Sequence, residues 1–178
     1  MRFILIDRIV SLQAGRSLTA VKSVSLAEEY LADHFPAFPV LPGVLMLQGL
    51  VESASWLVRA TEGFAHSMVL LAEARNIKYK NFLAPGSAIE YTVEARMIEE
   101  NVSSFSGYGV VDGQRIVEGR LGLRHFNLSQ RNPALAAVDG EVVEQLKTRF
   151  KLLYPALPER GSAGEATRRL EMDFQGTK

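Results

Sequence analysis

Three prolines within seven positions, Pro36, Pro39 and Pro42, stand directly before the most apolar stretch of the chain, residues 44–60. Each proline fixes its own φ and pushes the residue before it toward extended backbone, so no helix can start before the last of them. Pro42 itself suits the first turn of the helix that follows. From Val44 to Ala60 the residues are apolar on nearly every face, and Glu62-Gly63 closes the run. A helix of this kind is surrounded by protein. The rest of the chain must therefore enclose one long helix.

The remaining pattern supplies the enclosure. Residues 3–11 and 17–24 read as strands, separated by the turn-like Ala14-Gly15-Arg16. Ser25 and Glu28 have the spacing of a capping box and predict a short helix. Beyond the apolar helix, strands are expected near 68–80, 87–99, 102–112 and 114–126, with turns at Pro85-Gly86 and Asp112-Gly113. Asp-Gly between two strand-like runs is a tight-hairpin signal. The order is α+β, an antiparallel sheet packed on one long helix. Residues 130–138 read as a linker. An amphipathic helix over 139–153 follows, with Val142, Val143, Leu146, Phe150 and Leu153 on one face and Pro155 as its stop. The tail from Pro158 is polar. This divides the chain into a main domain, 1–129, and a C-terminal extension, 130–178.

Composition excludes several classes. Lys+Arg and Asp+Glu are each 20 of 178 residues, so nothing favours general attraction to nucleic acid or an anionic membrane. There is no cysteine, which removes thiolate nucleophiles, thiolate metal sites and disulfides, and accords with a reducing cytoplasm. The N-terminus lacks the form of a signal peptide. The apolar helix is slightly short for a membrane span and carries Gln48, Glu52 and Arg59. A cytoplasmic protein is expected. No phosphate loop, dinucleotide fingerprint or nucleophile elbow is present, so no cofactor is implied. His66 and His125 stand isolated, without metal-ligand spacing, and receive no role.

The chemistry concentrates in residues 34–44, HFPAFPVLPGV. This segment resembles the loop His-Phe-Pro-Gly-x-Pro-x-x-Pro-Gly-Val of the β-hydroxyacyl-acyl-carrier-protein dehydratases, matching at His34, Phe35, Pro36, Pro39, Pro42, Gly43 and Val44 and departing at Ala37. The resemblance runs more weakly from about Phe3 to Phe126. It implies a hot-dog fold, in which the sheet wraps the helix, and an acyl-thioester substrate carried by acyl-carrier protein or coenzyme A. It implies that His34 transfers protons, a task histidine suits near neutrality. The N–H of Gly43, at the helix start, would face the thioester oxygen. Phe35, Val44 and Phe82 would line the acyl site, and the basic residues Arg75, Lys78 and Lys80 would dock the acidic carrier. It also implies a homodimer or an assembly of dimers, with His34 of one subunit facing the helix carboxylate of the other.

At the family's helix carboxylate position, fourteen residues after the histidine, this chain has Gln48. An amide cannot donate a proton as a carboxylic acid does. Glu52 lies four residues on, where the family commonly has Gln, as if the two had changed places. Glu52 could supply the missing acid, or it could balance a polar stripe Gln48–Glu52–Ser55–Arg59. Three functions remain open: a dehydratase, a thioesterase, and a non-catalytic acyl-binding subunit.

Overall fold

The computed structural model describes residues 4–35 and 37–155; the expected polar tail lies outside them. Six strands form one antiparallel sheet: β1 (Arg8–Gln13), β2 (Ser17–Ser23), β3 (Met68–Tyr79), β4 (Ala88–Ile98), β5 (Val102–Val111) and β6 (Gln114–Phe126). Their order across the sheet is β1-β2-β4-β5-β6-β3. Between β2 and β3 come a short helix α1 (Glu29–Asp33) and the long α2 (Gly43–Thr61). Two 3-10 turns, at Leu128–Gln130 and Pro133–Leu135, lead to α3 (Ala136–Leu153).

The alternation of buried and open positions along β2, β4 and β5 gives the sheet one apolar face. Leu18 and Ala20, Ile89, Tyr91 and Val93, and Phe105 point from it into the core. Helix α2 lies on that face and touches β2, β3, β4, β5 and β6. From Gly49 to Val58 it is buried at nearly every position. This is the hot-dog arrangement expected from the sequence. No helix among the described residues is long and apolar enough to cross a membrane.

Local chemistry explains the element ends. Asp112 and Gly113 both have positive φ, 48° and 78°, as a two-residue primed hairpin turn requires. Helix α2 ends in a Schellman motif: Gly63 is left-handed at φ 61°, and the Phe64 N–H reaches the Arg59 carbonyl at 2.8 Å. The expected capping box does not form. Ser25 Oγ accepts from the Ala27 N–H instead, and α1 starts later, after Glu28. The reason is a competing partner: the buried Lys22 ammonium donates to Glu28 at 2.7 Å and to Asp7 at 3.2 Å. That pair of bonds ties α1 to β2 and to the segment entering β1. The first strand is also displaced, covering 8–13 rather than 3–11.

Helix α3 starts at Ala136, three residues before its expected start, and covers the outer side of α2. Phe150 packs on Trp56 and Phe64, with ring centroids 5.9 and 5.5 Å away, and Leu153 joins the core. Asp139 accepts hydrogen bonds from Ser67 Oγ, the Leu128 N–H and the Ser129 N–H. Burial opposes its ionisation, yet these donors hold its carboxyl well below the usual range.

The closest approach of helix and sheet is at Gly49. A Cβ there would fall 2.3 Å from Tyr91 Cζ, and Tyr91 is fully buried. We expect Gly49→Ala to lower the unfolding free energy by about 1–3 kcal/mol, the usual cost of overpacking a filled core. Chemical denaturation checks this, and an unchanged midpoint would mean that Tyr91 has room to shift.

Candidate active site

His34 follows α1 directly and is half-buried. Phe35, the next residue, has φ 55°, a left-handed conformation that is uncommon for a bulky side chain. Its ring lies 4.4 Å from the imidazole. The Phe38 N–H closes back on the Phe35 carbonyl at 2.7 Å. The loop then runs beside the chain that follows β3, where the Leu41 N–H donates to the Leu83 carbonyl at 2.8 Å, and enters α2 at Gly43. Such backbone outliers gather where surrounding structure fixes a functional side chain.

Among the described residues, no side chain caps the start of α2. The Leu45 and Met46 N–H groups turn back to the Pro42 carbonyl. The N–H groups of Gly43 and Val44, ahead of them, have no carbonyl one turn earlier to take. The helix dipole adds partial positive charge at the same place. Tyr79, at the end of β3, lies across Gly43: a Cβ there would sit 3.3 Å from the tyrosine ring. A β-bulge interrupts β3 between Arg75 and Lys78, where Asn76 has φ 54°. Sequence reading passed over Tyr79, which gave no signal apart from its basic neighbours.

Phe35, Ala37, Phe38 and Phe82 line an open apolar cleft of about 550 Å³. Phe38 and Phe82 meet edge to face at 6.0 Å. Val44 and Phe82 are 68% and 66% exposed, an unusual state for apolar side chains beside a helix start. Phe35 and Phe82 thus share one cleft, whose lining does not include Gly43 or Val44. Phe38 was not foreseen there.

Gln48 and Glu52 share a helix face but not an environment. Gln48 is exposed, one turn after Val44. Glu52 is partly buried, and its Oε2 accepts the Leu5 N–H at 3.0 Å. Burial raises its pKa; the Leu5 N–H and the Arg149 and Arg59 charges pull the other way without cancelling it. The four-residue offset moves Glu52 under the N-terminal segment and α3, so its visible partners are structural ones.

Among the basic residues, Arg75 pairs with Glu73 at 2.6 Å. Lys80 and Lys78 both face Glu118, at 2.9 and 3.8 Å, and Arg115 joins them at 4.0 Å. Three cations around one carboxylate leave this end of β3 positive.

The isolation of His66 and His125 does not survive folding. Pairing of β3 with β6 sets Val69 opposite His125 and so carries it to the α2–β3 connection, where Glu62, His66 and His125 meet.

Comparison with known proteins agrees with this geometry. The FabA-like domain family matches residues 1–120. The chain belongs to the FabA-like dehydratase family. It is 31% identical over 134 residues to a 3-hydroxyacyl-[acyl-carrier-protein] dehydratase FabZ of Janthinobacterium sp. (strain Marseille), covering 74% of this chain and 86% of that protein. The FabZ of Gluconacetobacter diazotrophicus is 35% identical over 118 residues, 65% of this chain and 73% of its own. Among solved structures, the dehydratase heterocomplex ApeI:P from Xenorhabdus doucetiae aligns with a TM-score of 0.62 at 17% identity, covering 75% of this chain and 90% of that one. A thioesterase from Pseudomonas aeruginosa aligns at 0.53 and 17%, covering 67% and 80%. At such identities the structural matches establish the fold alone.

A carboxyl whose folded pKa is raised contributes stability that is complete below its ordinary value, 4.5 for glutamate, and is lost as pH rises through the raised value. We expect the stability of the native chain relative to Glu52→Gln to decline as pH rises above glutamate's ordinary value. Denaturation across that range measures it; a flat difference would mean that Glu52 titrates as in the unfolded chain.

Proposed function

We propose that this chain interconverts 3-hydroxyacyl and 2-enoyl thioesters by removing or adding water. The observation that carries the reading is the His34 loop, which lines an apolar cleft with Phe35, Ala37 and Phe38 and leads into an uncapped helix start. In the dehydration direction His34 takes a proton from the carbon next to the thioester carbonyl. The Gly43 N–H and the helix dipole stabilise the charge that develops on the carbonyl oxygen. The C–O bond at the next carbon then breaks, the double bond forms, and the departing hydroxide takes up a proton to leave as water. The acyl chain runs along Phe35, Phe38, Val44 and Phe82.

The proton for the leaving hydroxyl is the weak point of the chain alone. Gln48 can hold that hydroxyl by hydrogen bonding but has no acidic proton to give. Glu52 is engaged by Leu5 N–H, so we assign it a positioning role. Protonated His34 returns the proton it has taken, which makes for a slower enzyme than one with a second acid. The exposure of Gln48 supports a subunit interface over it, as does β3, an edge strand that leaves Leu70 and Leu71 46% and 38% exposed. Two copies pair through this edge. A second reading follows from Gln48: the partner is a related chain that keeps the helix carboxylate, and this chain supplies the histidine and the acyl site.

Incubating a 2-enoyl thioester with the pure protein, with ultraviolet absorbance and free thiol followed together, tests the reading. We expect enoyl absorbance to fall without thiol release, and His34→Ala to slow this by about 10²–10⁴-fold. Gln48→Glu should accelerate it, by restoring an acid. Thiol release would identify hydrolysis instead. Silence with both carriers and several chain lengths would leave the reading in which a second chain is required.

The positive end of β3 supports an acidic carrier protein as the substrate's bearer. Reversing Arg75, Lys78 and Lys80 to Glu should raise KM for carrier-bound substrate, more so at low salt, while leaving kcat on a coenzyme A thioester unchanged. An unaltered KM would remove the docking assignment.

A further inference from the structure

The far end of α2 holds a second cluster that the proposed reaction does not use. Glu62 is the C-cap residue of the helix, His66 lies in the connection to β3, and His125 stands near the end of β6. Glu62 Oε2 is 3.0 Å from His66 Nδ1 and 3.4 Å from His125 Nδ1. One carboxylate oxygen and two imidazole nitrogens thus lie within 4.8 Å of one another, and both histidines are buried. We propose that Glu62, His66 and His125 bind a divalent transition-metal ion, zinc by preference.

The geometry fits such an ion. Zinc takes imidazole nitrogen and carboxylate oxygen at about 2.0–2.2 Å, so donors of a tetrahedral site stand about 3.3–3.5 Å apart. The two separations from Glu62 already fall near this value. Two imidazoles and a carboxylate, with no thiolate, suit zinc, cobalt or nickel rather than calcium or magnesium.

A second observation points to a ligand. His125 is 1% exposed, and among the described residues its Nδ1 meets only Glu62, at 3.4 Å and without the geometry of a well-formed hydrogen bond. Its other nitrogen, Nε2, is 2.7 Å from the buried Ser103 Oγ. With the proton on Nε2 donated to Ser103, the Nδ1 lone pair faces Glu62 and His66. Metal-bound histidines are oriented in this way, by a hydrogen bond from the nitrogen that does not bind. His125 also borders a cleft of about 600 Å³, shared with Leu70, Asn101, Arg124 and Arg131.

Electrostatics act in both directions. The C-terminus of a 19-residue helix carries partial negative charge, and Glu62 adds a full one. Arg59 opposes them, since its positive charge is felt at His125. A cation here would join the end of α2 to the β3–β6 pair, a structural role independent of the dehydratase reading.

The test uses the untagged full-length chain, freed of metal by chelation and titrated with Co²⁺, then displaced with Zn²⁺. We expect visible Co²⁺ bands of a nitrogen- and oxygen-bound ion, saturating at about one equivalent per chain, and a higher Tm with Zn²⁺. His66→Ala and Glu62→Gln should weaken binding more than about 100-fold, beyond the effect of an outer partner, and Ser103→Ala by about 10–100-fold. Circular dichroism confirms that each variant is folded, and His34→Ala should bind as the native chain does. A folded native chain that gives no saturable Co²⁺ spectrum overturns the proposal. So does binding that His66→Ala and Glu62→Gln leave intact, or that His34→Ala abolishes.

Discussion

Everything in this molecule depends on enclosing α2 so closely that one position has room only for glycine. Gly49 meets the ring of Tyr91, and that contact fixes how deep the helix sits on the sheet and where along its axis it rests. A helix fixed in depth and position presents a fixed first turn. Tyr79 of the bulged β3 can then lie on Gly43, and the loop from His34 can close onto the chain beyond β3. Proton transfer tolerates little error in distance. The packing of a core glycine against a core tyrosine is thus also a condition on the chemistry some turns away.

The sequence made the architecture legible because its strongest signals were local. Prolines set where α2 could begin, Asp112-Gly113 set a hairpin, and alternating apolar residues set the strands. The family resemblance located His34 and Gly43, since a motif of prolines around a histidine is read directly along the chain. Errors arose where a distant partner outbid a local one. Ser25 and Glu28 have capping-box spacing, but Lys22 claims Glu28. For Glu52 the sequence leaves two roles open, an acid or part of a polar stripe. Its helix face could be read from spacing, while the segment around Leu5 that covers it could not. His66 and His125 are 59 positions apart and meet only because β3 pairs with β6.

The C-terminal helix shows how an extension becomes part of a core. The sheet covers one side of α2 and leaves Trp56 and the neighbouring Phe64 to be covered from the other. Phe150 does so, and Leu153 is as buried as the strand residues. Asp139 anchors the start of α3 by accepting from Ser67, Leu128 and Ser129, so the linker expected at 130–138 is instead a hydrogen-bonded corner. Arg149 brings a positive charge toward Glu52. That charge pulls the Glu52 pKa down against the burial that raises it, so part of its electrostatics comes from beyond the family match, which ends at residue 120.

The two ends of α2 face opposite chemical demands, and the helix answers both with one dipole. Its N-terminus is uncapped, apolar in its surroundings and partially positive, which suits charge developing on a carbonyl oxygen. Its C-terminus carries Glu62 among two imidazoles and is partially negative, which suits a cation. Nineteen residues at 1.5 Å each separate these ends by about 28 Å, where two unit charges interact by only about 0.6 kcal/mol at an effective dielectric of about 20. Charge at one end is therefore weakly felt at the other. What links them is mechanical: both rest on a helix whose position the Gly49–Tyr91 contact sets. A change in activity that follows from altering Glu62 or His125 would have to travel through that packing rather than through the field.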